Sequence, residues 1–308
     1  MNFKQYTNLT SITIPDDVNL KNKSLYNAFD GMSNLTNASI PNNVVNMSKA
    51  FGSCTNLTGN PVCPETVTHM TDTYYKCSNI TGSPVCGKNV VSFRGAYYAC
   101  KNITGDPVCG PNVTTMQGTY YGCSNLTGSP VCGPKVEQLA QAYFGCKNIT
   151  GAPVCGDSVT NMVSAYQDCK NLTGAPVCGD KVVSMTQAYM FCVNLTGSPI
   201  CGNNVNYMGF AYRDCKNLHG NGYFYSPSLV NVNSCFLGRN ASNRLNIYVP
   251  ADSTSLTTLL TNDTSSLYGA ACTWTDDTAT NGCYYNTTYN TYIYPVANVS
   301  AAREANGD

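Results

Sequence analysis

Charge is scarce in this 308-residue chain: only 11% of its residues are charged, and 17 basic side chains balance 17 acidic ones. With no net charge and no basic block, the clustered Lys and Arg that nucleic-acid binding uses to neutralise phosphates are missing. A membrane-surface role lacks its electrostatic basis for the same reason. No apolar run reaches the roughly 18 residues needed to span a bilayer, so membrane insertion is not expected. The opening stretch MNFKQYTNLTSITIP lacks the charged-then-apolar build of a secretory signal. Two histidines, one tryptophan and few carboxylates leave little raw material for catalysis. The sequence therefore predicts a protein that is not an enzyme and that needs no cofactor and no metal.

Cysteine, by contrast, is abundant and periodic. Cys54, Cys77, Cys100, Cys123, Cys146, Cys169, Cys192 and Cys215 follow one another at intervals of 23 residues, and so do Cys63, Cys86, Cys109, Cys132, Cys155, Cys178 and Cys201. The unit reads C-x-N-[LI]-T-G-x-P-V-C-G-x-x-V-x-x-M-x-x-[AT]-Y-x-x, with an aromatic column at Tyr74, Tyr97, Tyr120, Tyr143, Tyr166, Tyr189 and Tyr212. Looser units precede it from about Asn8, with Phe29 and Phe51 in the aromatic place and Ile14 and Ile40 where later units have Val. A unit this short cannot bury an apolar face alone, so consecutive units must stack and cover one another. The expected fold is a repeat solenoid of 23-residue coils, with short β-strands, helical or 3-10 arcs, and a small α+β C-terminal cap. Within one coil, Gly128 and Pro130 mark one corner and Gly133 with Pro134 a second. An extended segment is expected around residues 125 to 131, followed by an arc with helical spacing from Val136 to Tyr143. Three parts follow: an N-terminal cap with irregular repeats (1–53), the regular array (54–237), and a C-terminal capping or attachment domain (238–308).

These residues resemble the BspA-like leucine-rich-repeat family, whose units read approximately AFxxCxxLTxIxIPxxVxxI. The likeness rests on AYxxC, N-L-T, the valine corner and the first-coil ITIPDDV, over about residues 8 to 237. Residues 245–250, Trp274 and residues 293–296 are similar to that family's closing segment. Leucine is sparser than in the family pattern, and Val-Cys stands where Ile-Pro is usual. The resemblance implies surface adhesion, and proteins of this type also resemble tail-associated or fibre proteins of phages.

Cysteine is among the residues most often buried and behaves as a small hydrophobe. Both thiol columns, Cys100 and Cys123 in one and Cys109 and Cys132 in the other, are therefore expected inside as structural ladders. Tyr97, Tyr120 and Tyr143 form a third. Asn102, Asn125 and Asn148 belong to a column that also matches the N-x-T glycosylation pattern. Glycans about 5 Å apart, the spacing of stacked strands, would collide, so these amides are read as a buried ladder serving backbone groups of the turns. Cys272 and Cys283 are the first choice should a disulfide exist. Asp157 and Asp180 share a place in adjacent coils, but that place also holds Lys88, Pro111, Pro134 and Asn203, a turn vocabulary.

Variation between coils is concentrated on one side. The place after the ladder tyrosine reads Tyr75, Tyr98, Tyr121, Phe144, Gln167, Met190 and Arg213, and a second variable place includes Arg94 and Gln117. Such a ridge suits a contact surface, because tyrosine combines apolar area with a polar tip; the alternative is that these rings merely cover the neighbouring coil. In the segment from 238 to 308, Ser253 or Asp252 can cap a helix carrying Leu256, Leu259 and Leu260, and Trp274 is expected to seal the core. The functional expectation is a non-enzymatic adhesion or receptor-recognition protein on a virion or extracellular surface, its ligand a host-surface glycan or protein. The alternatives are a structural virion or filament subunit self-associating through lateral faces, with homo-oligomer or virion contacts through the C-terminal segment, and a polysaccharide-cleaving solenoid enzyme.

Overall fold

The computed structural model describes residue 3 and residues 5–308, which divide into two compact units, 1–150 and 151–308. In the first unit the chain winds into coils whose equivalent residues lie over one another. Strand β1 (Ser11–Thr13) pairs in parallel with β2 (Asn37–Ser39), Ile12 opposite Ala38. Single parallel bridges then link Ser24 to Asn46, Asn46 to His69, His69 to Ser92, Ser92 to Thr115 and Thr115 to Gln138. Repeated residues make buried columns: Val44, Val67, Val90, Val113 and Val136; Met47, Met70, Phe93, Met116 and Leu139; Leu57, Ile80, Ile103 and Leu126.

The arcs are chains of turns where the 3.6-residue spacing predicted helix. The hydrogen bonds give the reason. Along one arc the N–H groups of Met116, Gly118, Tyr120 and Gly122 donate to Gln138, Ala140, Ala142 and Phe144 of the next coil, while Thr119, Tyr121 and Cys123 donate back to Met116, Gly118 and Tyr120. Alternate amides thus serve the neighbouring coil and the chain's own turn. A helix would spend every amide on itself. The alternation requires repeated left-handed residues, and Gln141 and Gly145 have φ of 57° and 71°. The expected extended segment at 125–131 likewise contains no strand; Gly128, at φ 74°, bends it.

The core of the first unit is an aromatic column. Phe3, Phe29, Phe51, Tyr74, Tyr97, Tyr120 and Tyr143 stack with centroids 5.0 to 5.8 Å apart. A hydroxyl in such a place must find partners. Tyr97 donates to the carbonyl of Val85 at 2.8 Å and accepts from the same residue's N–H at 2.9 Å, and Tyr74, Tyr120 and Tyr143 do the same with Val62, Val108 and Val131. Each phenol therefore ties the arc to the opposite corner of its own coil. Beside it, the thiols of Cys77, Cys100, Cys123 and Cys146 donate to Phe51, Tyr74, Tyr97 and Tyr120 carbonyls of the preceding coil at 2.9 to 3.0 Å.

The second unit repeats the scheme with Tyr166, Tyr189, Tyr212 and Phe236 stacked 5.5 to 5.6 Å apart. Its coils then give way to true strands: β3 (Ile200–Cys201), β4 (Gly220–Phe224) and β5 (Leu245–Pro250), then helix α1 (Thr254–Leu259), β6 (Thr275–Asp277), α2 (Thr278–Asn281), β7 (Cys283–Asn286), β8 (Thr291–Val296) and α3 (Val299–Ala305). Their order across the sheet is β3-β4-β5-β8-β7-β6. The first three pairings are parallel and continue the stacking; β8 with β7 and β7 with β6 are antiparallel and end it. Asp276 and Asp277 put charge on the β6 edge, which discourages a further strand. Ser253 caps α1 by accepting from Leu256 N–H. The expected apolar face is only partly present, because Ser255 and Leu259 are buried while Leu256 and Leu260 are half-buried.

Trp274 does not seal the core: it is half-buried and its Nε1 has no partner. Tyr268 does so, tilted against Phe236 at 6.4 Å and stacked on Tyr289 at 3.7 Å. Buried Arg239 holds this closure, donating to the carbonyls of Asn243 and Tyr289 and to Thr291 Oγ1. Cys272 and Cys283 are free thiols, Cys272 accepting from Asn286 at 3.3 Å.

Candidate functional site

A groove of about 500 Å³ runs across the coils of the first unit. Three neighbouring columns build it. Its floor is Lys49, Asp72, Gly95, Gly118 and Gln141, five residues one coil apart and all left-handed, with φ from 54° to 61°. One wall carries Gly52, Tyr75 and Tyr98, the other Arg94 and Gln117, with Asp30 and Ser53 at one end. Left-handed residues turn the chain sharply and draw the backbone inward, so the side chains on either side stand up as walls. Gly95 also has a packing reason to be glycine: a Cβ there would lie 2.1 Å from Asp72 Oδ1. The carboxylate occupies the space that a side chain would fill.

The aromatic wall extends past the groove as a second stack. Tyr75 and Tyr98 are 4.9 Å apart, Tyr98 and Tyr121 4.3 Å, and Tyr121 and Phe144 4.4 Å, the last two pairs within 6° of parallel. All four rings are half-buried. Their edges reach solvent while their faces cover one another. Burial pushes the Tyr98 hydroxyl above its ordinary range, and Tyr121 beside it adds to the rise. Asp72 is also raised, first by burial and then by Asp30, against the pull of Arg94 and Lys49.

Of the nine ridge residues expected to touch a ligand, Tyr75, Arg94, Tyr98 and Gln117 meet in this groove, and Tyr121 and Phe144 prolong its wall. Gln167, Met190 and Arg213 belong to the second unit. Met190 is 8% exposed and so packs inside instead of presenting a contact. Arg213 lies 5.6 Å over Phe210 and pairs with Asp214 at 3.3 Å. The variable surface is concave where a ridge was expected. The floor column went unread, although the glycines of F-R-G-A-Y and M-Q-G-T-Y stand in it and signal the bend.

The ladders need two corrections. Asn102, Asn125 and Asn148 are exposed. Each follows the turn after a core cysteine, and the Ile or Leu next to it turns inward, which sends the amide to solvent. Where these amides do bond, they reach the preceding coil from outside, as Asn34 does to Thr7 at 2.8 Å and Asn217 to Val193 at 3.0 Å. Tyr97, Tyr120, Tyr143, Cys100 and Cys123 are fully buried, whereas Cys109 and Cys132 are half-buried. This outer column lies at the corner, its Sγ atoms packed over glycines of the next coil: a Cβ on Gly133 would meet Cys109 Sγ at 2.9 Å. Burial pushes Cys109 up to about 11 and Cys86 up to about 12, and takes Cys100 and Cys123 well above the thiol range. Thiols so raised are poor nucleophiles.

Residues 1–104 match the family described as BspA type leucine rich repeat region, in six copies. That likeness covers about a third of the chain. No curated protein and no solved structure matches the chain. The leucine-rich-repeat coils contain the floor and wall residues from Asp30 to Tyr98, and Gln117, Gly118 and Gln141 continue the same columns one coil further. Asp157 and Asp180, the carboxylates sharing one place in the second unit, are both exposed; Asp180 accepts from Asn203 at 3.2 Å and its carbonyl from Asn204 at 2.7 Å, as turn residues do. Among the described residues no group of three or more His, Cys, Asp or Glu is placed to hold a metal ion, and no helix is long and apolar enough to cross a membrane.

Proposed function

We propose that this protein is a non-enzymatic adhesion or receptor-recognition module, displayed on a virion or an extracellular surface, and that the groove of the first unit is its contact site. One observation carries this reading. In the first unit the variable side chains Tyr75, Arg94, Tyr98 and Gln117 line one concavity, while the repeated tyrosine, valine and inner cysteine columns are buried in the core. A column fixed by stacking has no reason to vary, and a column freed from stacking is open to selection by a ligand. Half-buried tyrosines beside charged and amide groups have the composition of a recognition surface. The BspA-type region supports surface adhesion as its general role.

Attachment to host cells by the purified protein tests this. Tyr98→Ala and Tyr121→Ala are expected to weaken attachment with little loss of melting temperature. Tyr97→Ala and Tyr120→Ala, one residue away and inside the core, are expected to lower the melting temperature. Equal behaviour of the two pairs would refute the assignment of faces. Attachment that survives both groove substitutions would remove the groove from the function.

A further inference from the structure

Resting on that reading of the groove, we infer that its ligand is an uncharged oligosaccharide lying across the coils. The charges in the lining cancel: Asp30 and Asp72 face Lys49 and Arg94. A balanced lining produces no net field to select an anionic or cationic partner. What remains is a dense set of groups that both give and take hydrogen bonds. The guanidinium and ammonium donate, the carboxylates accept, and the amide of Gln117 does both. Sugar hydroxyls have the same dual character, so a run of them can satisfy such a mixed lining without leaving buried charge unpaired.

The aromatic wall offers the apolar half of the contact. Tyr98 covers one face of Tyr75 at 4.9 Å. In the preceding coil the corresponding place is Gly52, which has no side chain to stack on the other face, and Gly52 itself lines the groove. The Lys76 ammonium lies over the Tyr75 ring, 5.0 Å from its centroid, and a flexible lysine chain can yield that face to a sugar. The column of aromatic rings thus ends at Tyr75, which lines the cavity, and its ring serves as a platform for the C–H face of a pyranose once Lys76 swings aside. The remaining lining recurs at coil intervals, Arg94 then Gln117 on one wall and Tyr75 then Tyr98 on the other, which suits a ligand that itself repeats. A folded protein partner would need a far broader contact, about 800 Å² on each side, than this slot presents.

The test uses the full chain against immobilised neutral hexasaccharides of glucose, mannose, galactose, xylose and N-acetylglucosamine, with heparin, polygalacturonate and gelatin as charged and protein probes. At least one neutral hexasaccharide is expected to bind, more tightly than its monosaccharide and with little change as salt is raised. Tyr75→Ala and Gln117→Ala, each checked for an unchanged melting temperature, are expected to weaken that binding by about tenfold or more. Binding confined to heparin, polygalacturonate or gelatin and lost in Tyr75→Ala would overturn the uncharged-saccharide inference and leave the groove as the recognition site. Neutral-sugar binding unaffected by both substitutions would overturn the groove reading as well. Failure of every probe to bind overturns the inference.

Discussion

The first two coils and the next four solve the same corner differently. In the first two, Ser11–Thr13 and Asn37–Ser39 are straight enough to pair as β1 and β2, and the aromatic core residues are Phe29 and Phe51. In the later coils the corner reads G-x-P-V-C. Glycine bends it, Gly82 and Gly105 both having φ 78°, and proline removes an amide from any ladder. The peptide groups of Val62, Val85, Val108 and Val131 then need another partner, and the aromatic residue 12 positions on is tyrosine in every case. Loss of the strand and gain of the hydroxyl go together. Within the first unit the aromatic column thus carries two designs, stacking alone where the backbone pairs and stacking plus two hydrogen bonds where it does not; in the second unit Tyr212 keeps both hydrogen bonds, to Ile200 of the paired strand β3.

Truncating that column should give the largest effect. Tyr120→Ala removes a fully buried ring stacked on both sides together with its hydroxyl, and should cost about 3–5 kcal/mol in denaturant unfolding. Next comes the substitution that separates the two designs. Tyr120→Phe keeps the ring and orphans the N–H and C=O of Val108, a loss of about 1–3 kcal/mol. If Tyr120→Phe proves as stable as the parent, the hydroxyl is not what replaces the strand.

The thiols give a third, smaller effect that sharpens the contrast between inner and outer columns. With Cys86 at about 12 and Cys109 at about 11, thiolate is scarce at pH 8, so native protein should react slowly with a thiol reagent and completely once unfolded. Fast native labelling of Cys86 or Cys109 would show that the corner opens. The sign in pH follows from the same shifts. Raised folded values mean that the thiols' contribution to stability is complete below the ordinary thiol value near 9 and is lost as pH rises through 11 and 12. Unfolding midpoints between pH 8 and 11 should therefore fall, and a flat profile would show that the thiols are not held in the core.

Much of this was legible because stacking copies one coil's environment onto the next. A period of 23 assigns Tyr97 or Cys100 to the core without knowledge of the path between them. The asparagines were misplaced for the same reason. Recurrence shows that a residue is constrained, not on which side of the chain it lies, and Asn102 differs from Ile103 only by the direction of one peptide. The arc was misread because i, i+3, i+7 spacing is shared by a helix and by turns whose alternate amides serve the neighbouring coil. Residues such as Gln141, left-handed without being glycine, leave no mark in composition. The groove was invisible as a concavity because its floor mixes Lys49, Asp72, two glycines and Gln141, a column held together by φ and not by side-chain type.

That floor supplies the smallest effect and the finest test of whether coil columns can differ in energy while sharing a fold. Asp72 fills the space over Gly95, where burial disfavours its charge more than Arg94 and Lys49 favour it. A carboxyl raised in the folded state contributes stability that is complete below its unfolded value of about 3.8 and lost as pH rises through the folded value, so at neutral pH it is a cost. Asp72→Asn keeps the shape and removes the charge. It should raise the melting temperature by about 1 °C at pH 7 and leave it unchanged near pH 3. A decrease at pH 7 would mean that the attraction of Lys49 and Arg94 for the Asp72 charge outweighs its desolvation.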